Sequence, residues 1–516
     1  NNLNAFSFPT SGTLVFSGTP SLMTLPQLTA SATAGQFWLN RSTGGAFTFS
    51  SSATGNLLSL TSAQAVRING DGPTTISANI NLAGSGTQAI DVLPTLTYSA
   101  PHPPPRISGV ISGGGAGNFM QSGGANSGNL LLSNTVNTFS STPLIRGGGW
   151  GALYVNRIGM AGSPSSLGTS GTIRLVDAGA VLFTGSAPAQ TTDKEFVLTV
   201  SANGKLFAIN SPAGIGSVTT IQNTLGLTLA GPITAGVSTA SGTAVSNVYL
   251  GGSGTASGLI SESTSAHRLN VVSAGMTLTN PSNSFSGTFT VWNQNSPQWV
   301  SVPKIGMLGQ PSPLGAGPIN IYGGNQVVRL HYTGPGEETN KPITQTASTG
   351  IGAIENSGGT LILSSTTPQS STVRLTGGSF VLNTPLTGAA NIYYGIGQNP
   401  INGVGNGLFT GTLTITGSNS NTGAFIFGGG TNGATMLFAN RNALYGGDTS
   451  KWVRAYYSTA ATTGGIGTYP VTGFGNQTVA FAVGGTGGFT SADVTLLLAR
   501  LGGDASSGGM MRTSSW

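Results

Sequence analysis

The chain has 516 residues, of which 83 are glycine, none is cysteine and only 6% are charged. The lack of cysteine excludes disulfides, thiolate zinc sites, iron–sulfur clusters and thioether-linked haem, and so low a charge content argues against a charge-rich disordered segment. The formal charge of +6 comes from 18 basic and 12 acidic residues scattered without a basic run, so no nucleic-acid footprint is expected.

Strand signals recur along the whole length as a glycine, a short apolar or alternating run, then glycine or asparagine. In chain order they are GTLVFSG (12–18), ISANINL (76–82), GAVLFTG (179–185), GKLFAI (204–209), GLTLAG (226–231), NVYLGG (247–252), GGTLIL (358–363), GGSFVL (377–382) and GTLTITG (411–417). Leu229, Leu250 and Val271 lie 21 residues apart, and GGTLIL precedes GGSFVL by 19. A spacing near 20 residues is that of one coil of a parallel β-helix, with glycine and asparagine at the corners where positive φ is needed. The predicted fold is therefore all-β: one elongated, right-handed parallel β-helix (β-solenoid) over residues 1–516, with antiparallel sandwiches as the competing architecture. Residues 99–106, 292–304 and 333–343 break the pattern and read as loop insertions. Val494, Leu497, Leu498 and Leu501 fit a helix with Thr490 or Ser491 as its cap. The Val494–Leu498 run also alternates, so a last strand is an equal reading of the capping segment 487–516.

Two long blocks, 128–185 and 274–334, repeat one another, and a shorter block at 411–447 repeats part of them. Leu130, Leu132 and Phe139 match Met276, Leu278 and Phe285, and Ile158-Gly159-Met160 recurs as Ile305-Gly306-Met307. Repetition on this scale implies stacked units and a function spread over a surface. Leu130/Met276, Leu132/Leu278 and Phe139/Phe285 should point inward at equivalent places.

GMTLTNPSNSFSG (275–287), GNLLLSNTVNTFSS (128–141) and GTLTITGSNSNTG (411–423), followed by SLG (166–168), PLG (313–315) and NALYGG (442–447), resemble the passenger-associated transport repeat of bacterial autotransporter-like proteins. GGFTSADVTLLLARLGGD (487–504) is similar to the last coils of such passengers. The resemblance covers about a third of the chain. It implies a secreted right-handed β-helix displayed on, or shed from, a Gram-negative-type envelope, and it implies a scaffold rather than an activity. The usual C-terminal membrane barrel of that family is not in this sequence. Asn1 in place of an initiator Met fits a mature form whose signal peptide was removed.

Chemistry-bearing residues are sparse. Asp193-Lys194-Glu195 and Glu337-Glu338 read as solvated turns rather than a polysaccharide-cleaving carboxylate set. Asn69-Gly70-Asp71-Gly72 reads as a β-turn rather than a calcium loop. His102, His267 and His331 have no metal-ligand spacing. Trp292, Trp299, Trp452, Tyr456 and Tyr457 read as core padding first and as stacking surfaces for sugars or a neighbouring copy second. No catalytic, cofactor-binding or metal-ligating residue is assigned, and no transmembrane helix is expected because no run of 18 apolar residues exists. The expected function is a non-catalytic extracellular or cell-surface structural protein, a filament subunit or adhesin. Its expected partners are copies of itself and surface glycans. The alternatives are a secreted carbohydrate-active enzyme on the same scaffold and a trimeric phage-type fibre.

Overall fold

A computed structural model describes residues 12–18, 27–41, 46–69, 73–93, 104–114, 118–122, 129–146, 152–176, 179–185, 190–199, 203–208, 226–235, 244–263, 267–293, 298–323, 327–347, 351–395, 411–427, 433–456, 465–468 and 477–501. It is all-β and parallel: the nine strand signals read from the sequence all fall on strands. The contacts divide into two compact units, Asn1–Asn280 and Pro281–Trp516.

In the first unit, ten strands from Thr13–Gly18 to Ile260–Glu262 pair in chain order, with one or two strands of the chain skipped at each step. Phe37, Val66 and Ile90 stand in register, as do Leu39 and Ile68, and all five are buried. Between them the alternate positions carry Trp38 and Arg67, both half-buried, and Asp91, which is buried. This is the two-residue alternation of a strand with one face on a core. A second row holds Ala32–Ala34, Leu57–Leu60, Asn79–Leu82 and Ile111–Gly113, again parallel.

The second unit repeats the pattern. Six strands, Glu337–Thr339, Leu361–Leu363, Phe380–Leu382, Thr412–Ile415, Thr435–Phe438 and Thr478–Phe481, pair in that order. Leu361, Phe380, Leu413 and Met436 form one buried row, and Leu363, Leu382, Ile415 and Phe438 another. Burial of each such side chain contributes about 1.5–3 kcal/mol before chain entropy is subtracted. A second face carries Gln298–Val302, Val327–Tyr332, Ile351–Asn356, Val373–Gly377, Ile392–Tyr394 and Phe425–Phe427, each parallel to the next.

Three sequence expectations are corrected, and one open choice is decided. The step between paired strands is not a fixed 20 residues: Leu361 pairs with Phe380, 19 on, but Phe196 pairs with Ile233, 37 on. The spacing between paired strands thus differs from one place to the next. Leu250 pairs with Ser273 and Val248 with Val271, so the 21-residue spacing at Leu229, Leu250 and Val271 is not a ladder. The stretches 292–304 and 333–343 are not simple insertions, for they contain the strands Gln298–Val302 and Glu337–Thr339. Residues 491–501 are helix, with Leu497 and Leu501 buried. Thr490 Oγ1 accepts from Asp493 N while the Asp493 carboxylate accepts from Thr490 N, a reciprocal cap that decides the helix over the strand. Of the expected loop 99–106, residues 99–103 lie outside the described residues, and Arg106 opens the strand Arg106–Ile107 rather than belonging to a loop.

Candidate functional site

The repeated blocks build the same turn twice. Leu130, Leu132, Phe139, Ile158 and Leu167 are fully buried, as are Leu278, Phe285, Ile305 and Leu314, with Met276 almost so. Asn137 and Asn283, also buried, donate through Nδ2 to Ser166 O at 3.0 Å and Pro313 O at 2.9 Å. A short, planar amide is the group that can reach a corner carbonyl from inside the fold without leaving it unpaired. Gly168 and Gly315 follow with φ of 67° and 71°. A Cβ on Gly168 would lie 2.2 Å from Phe139 O, and one on Gly315 would lie 2.5 Å from the Phe285 ring. Only glycine meets both the backbone and the contact requirement.

Each turn is closed by a buried lysine that the sequence reading did not single out. Lys194 Nζ donates to Gly168 O at 3.3 Å and to Ser170 O; Lys341 Nζ donates to Ser312 Oγ at 3.2 Å and to Gly315 O. Two residues earlier, Thr192 Oγ1 donates to Gly159 O at 2.7 Å and Thr339 Oγ1 to Gly306 O at 2.6 Å. Asp193 Oδ1 accepts from Ala161 N, and Asn340 Oδ1 accepts from Leu308 N, at the same place in the two turns. Burial lowers the pKa of both ammonium groups to about 8, against the opposing pull of the Asp193 and Glu337 carboxylates. The signal was present: Thr-x-Lys recurs at 192–194 and 339–341, in step with the long repeat, just past its recognised ends. Lys341 also lines a small cavity of about 30 Å³ beside Gln345, Gln369 and Thr384, room for one or two water-sized molecules and no organic substrate.

The acidic candidates are structural and dispersed. Asp193 is exposed, and Glu195 opens the strand Glu195–Leu198 and accepts from Thr172 Oγ1 at 3.3 Å. The reading of 193–195 as one solvated turn therefore fails at its middle residue, Lys194, which is buried. Glu337 is in a strand and not a loop. Its carboxylate accepts from Ile305 N and Gly306 N, holding the start of the turn. Asn69 ends a strand and donates to Asn40 Oδ1 at 3.0 Å, while residues 70–72 are outside the described residues. His102 and Tyr457 also lie outside them, as do the side chains of His267 and Tyr456. Among the described residues no group of three His, Asp or Glu could hold a metal ion. Among the described residues no helix is long and apolar enough to cross a membrane.

The aromatics divide. Trp452 is fully buried, donates from Nε1 to Leu444 O at 3.2 Å and packs on Phe489, as core padding should. Trp292 is half-buried, and Trp299 is 48% exposed on the outward side of its strand. Beside Trp299 in register stands Arg329, whose Nη1 meets Glu355 Oε2 at 2.9 Å. Two positions along, His331 Nδ1 lies 3.1 Å from Ser301 Oγ and Nε2 lies 2.7 Å from Ser357 Oγ. Sequence reading paired Trp299 with nothing, because its neighbours are brought to it only by the register. No family model, no curated protein and no solved structure matches this chain.

Proposed function

We propose that this chain is a non-catalytic β-helix of the cell surface or extracellular space, of the autotransporter-passenger kind, acting as a rigid scaffold that presents its faces and loops for contact. The observation that carries the reading is the parallel register itself. The strands of each row run parallel to their neighbours, and inward rows such as Leu361–Phe380–Leu413–Met436 continue from strand to strand. The ionisable side chains at the repeated turns are occupied in holding backbone, as Lys194, Lys341 and Glu337 are. Such an arrangement supports a device that stands and displays rather than one that turns over a substrate. The 6% charge also leaves little repulsion between copies.

Self-association is part of the proposal. The strand Thr13–Gly18 ends its ten-strand row, pairing among the described residues with Gln36–Arg41, and Val15 is exposed. An edge of this kind templates main-chain pairing with another chain. Two measurements test the reading. Immunogold labelling and protease shaving of producing cells should place the chain outside, and label confined to the cytoplasm would overturn the display. Sedimentation velocity should show concentration-dependent assembly that Val15→Pro weakens and salt leaves nearly unchanged; a monomer at all concentrations would remove the self-association.

A further inference from the structure

The same pair of residues, a tryptophan with an arginine beside it on the next strand, occurs on an outward face in each unit. Trp38 stands in register with Arg67, and Trp299 with Arg329. In the first unit the pair is closed: the Arg67 guanidinium lies 5.1 Å from the centre of the Trp38 ring, and Trp38 is half-buried. This is the ordinary cation–π outcome for such neighbours. In the second unit the pair is open. Glu355 is in register with His331, two positions along from Ala353, which is the register partner of Arg329. A carboxylate placed on that diagonal draws the guanidinium sideways. The 2.9 Å bidentate-capable contact fixes it there, with the arginine side chain 12% and the glutamate 30% exposed.

We propose that Trp299, Arg329, Glu355 and the Ser301–His331–Ser357 ladder form a binding face for a neutral hexopyranose glycan. The indole offers a flat apolar surface to the C–H face of a sugar ring. Around it the Glu355 carboxylate accepts, and the imidazole and hydroxyls of His331, Ser301 and Ser357 donate or accept, all with orientations already set by their mutual bonds. Preorganisation of this kind lowers the ordering cost of an otherwise weak contact. Arg329 and Glu355 cancel one another's charge, so the face has no net attraction for uronates or sulfated sugars, whose anionic groups would meet Glu355. A pyranose ring is close in length to the ~4.8 Å step between strands, so successive rings along the row meet successive side chains. The face is open and flat, and affinity on the order of millimolar per ring follows from ligand-efficiency limits.

The proposal deepens the surface-contact part of the proposed function, but it is tested on purified protein and does not depend on where the cell puts it. Full-length chain is titrated with cellopentaose, with galactopentaose and with oligogalacturonate, read by calorimetry and saturation-transfer NMR. At least one neutral oligomer should bind, the uronate should bind at least tenfold more weakly, and Trp299→Ala should abolish binding with an unchanged circular dichroism spectrum. Glu355→Gln is the sharper variant: released from its partner, Arg329 falls onto the indole as Arg67 does on Trp38, and affinity drops at least fivefold although no sugar-stacking atom is removed. Equal binding by Trp299→Ala, tighter binding of the uronate, or no binding of either neutral oligomer at about 10 mM would each overturn the proposal.

Discussion

The first two copies of the repeated turn and the third solve one packing problem in two ways. In the first two, a buried Phe139 or Phe285 lies against a left-handed Gly168 or Gly315. In the third, the asparagine at the start is kept: Asn419 Oδ1 accepts from Leu386 N at 3.0 Å, and its Nδ2 donates to Ala443 O at 2.7 Å. The leucine is kept too, as buried Leu444. The phenylalanine is replaced by Asn421, however, and the glycine by Tyr445, which holds the same left-handed conformation at φ 55°. The Tyr445 ring packs edge-on to Phe425 at 5.2 Å, and its hydroxyl lies 2.9 Å from Gly423 O, the carbonyl that Asn421 Nδ2 also reaches. A ring has moved from one side of the turn to the other. The lesson is that Phe–Gly and Asn–Tyr are coupled choices, and that a strained φ is tolerated at a non-glycine residue when the side chain fills the space its partner has vacated.

The largest effect should come from mixing the two solutions. Gly168→Tyr alone places a ring where Phe139 already is and should cost more than ~4 kcal/mol, enough to prevent folding of the block. The double change Phe139→Asn/Gly168→Tyr should recover at least ~1–3 kcal/mol relative to the sum of the single changes, measured in urea as a double-mutant cycle. Strict additivity would break the comparison. Next, Phe285→Ala should cost about 3–5 kcal/mol, since a fully buried ring leaves a cavity on the turn.

Removing the shared asparagine should cost less. Asn137→Ala leaves Ile111 N and Ser166 O without their partner, a loss of about 1–3 kcal/mol, and Asn419→Ala should match it because the bonds are alike. The two lysines should set a pH dependence that the third copy lacks. Their folded pKa of about 8 lies below the unfolded value of 10.5, so the unfolded chain binds more protons between those limits. Stability therefore rises with pH across that window, is complete above 10.5 and is lost as pH falls through about 8. The urea midpoint should be higher at pH 9.5 than at pH 7.5, and Lys341→Met should shrink that difference. Buried Tyr394 and Tyr445, whose ionisation burial pushes up, act in the opposite sense only above the ordinary tyrosine range. The smallest effect belongs to the helix: Thr490→Ala should cost about 1 kcal/mol through its lost cap.

Strand positions, the repeat and its buried residues were legible because they are written in two-residue alternation and in direct recurrence. The register was not, because the spacing between paired strands varies and nothing local says whether Leu250 meets Val271 or Ser273. Lys194 and Lys341 escaped notice for a related reason: an isolated charge beside acids reads as surface, and only the carbonyls of Gly168 and Gly315, 26 residues earlier in each case, make burial acceptable. The Trp299 face was half legible. Its aromatic residue stood out, but Arg329, Glu355 and His331 join it across strands.

The parallel register is the claim on which the scaffold, the repeats and the Trp299 face all rest. It can be tested directly because the chain has no cysteine of its own. Val381 and Thr414 are half-buried outward neighbours on adjacent strands, at a spacing a disulfide can bridge. Under mild oxidation Val381→Cys/Thr414→Cys should close a disulfide within the folded chain, while Val381→Cys/Thr412→Cys, displaced by two residues along the strand, should not. Equal closure of both pairs, or closure of the displaced pair alone, would contradict the register and the account built on it.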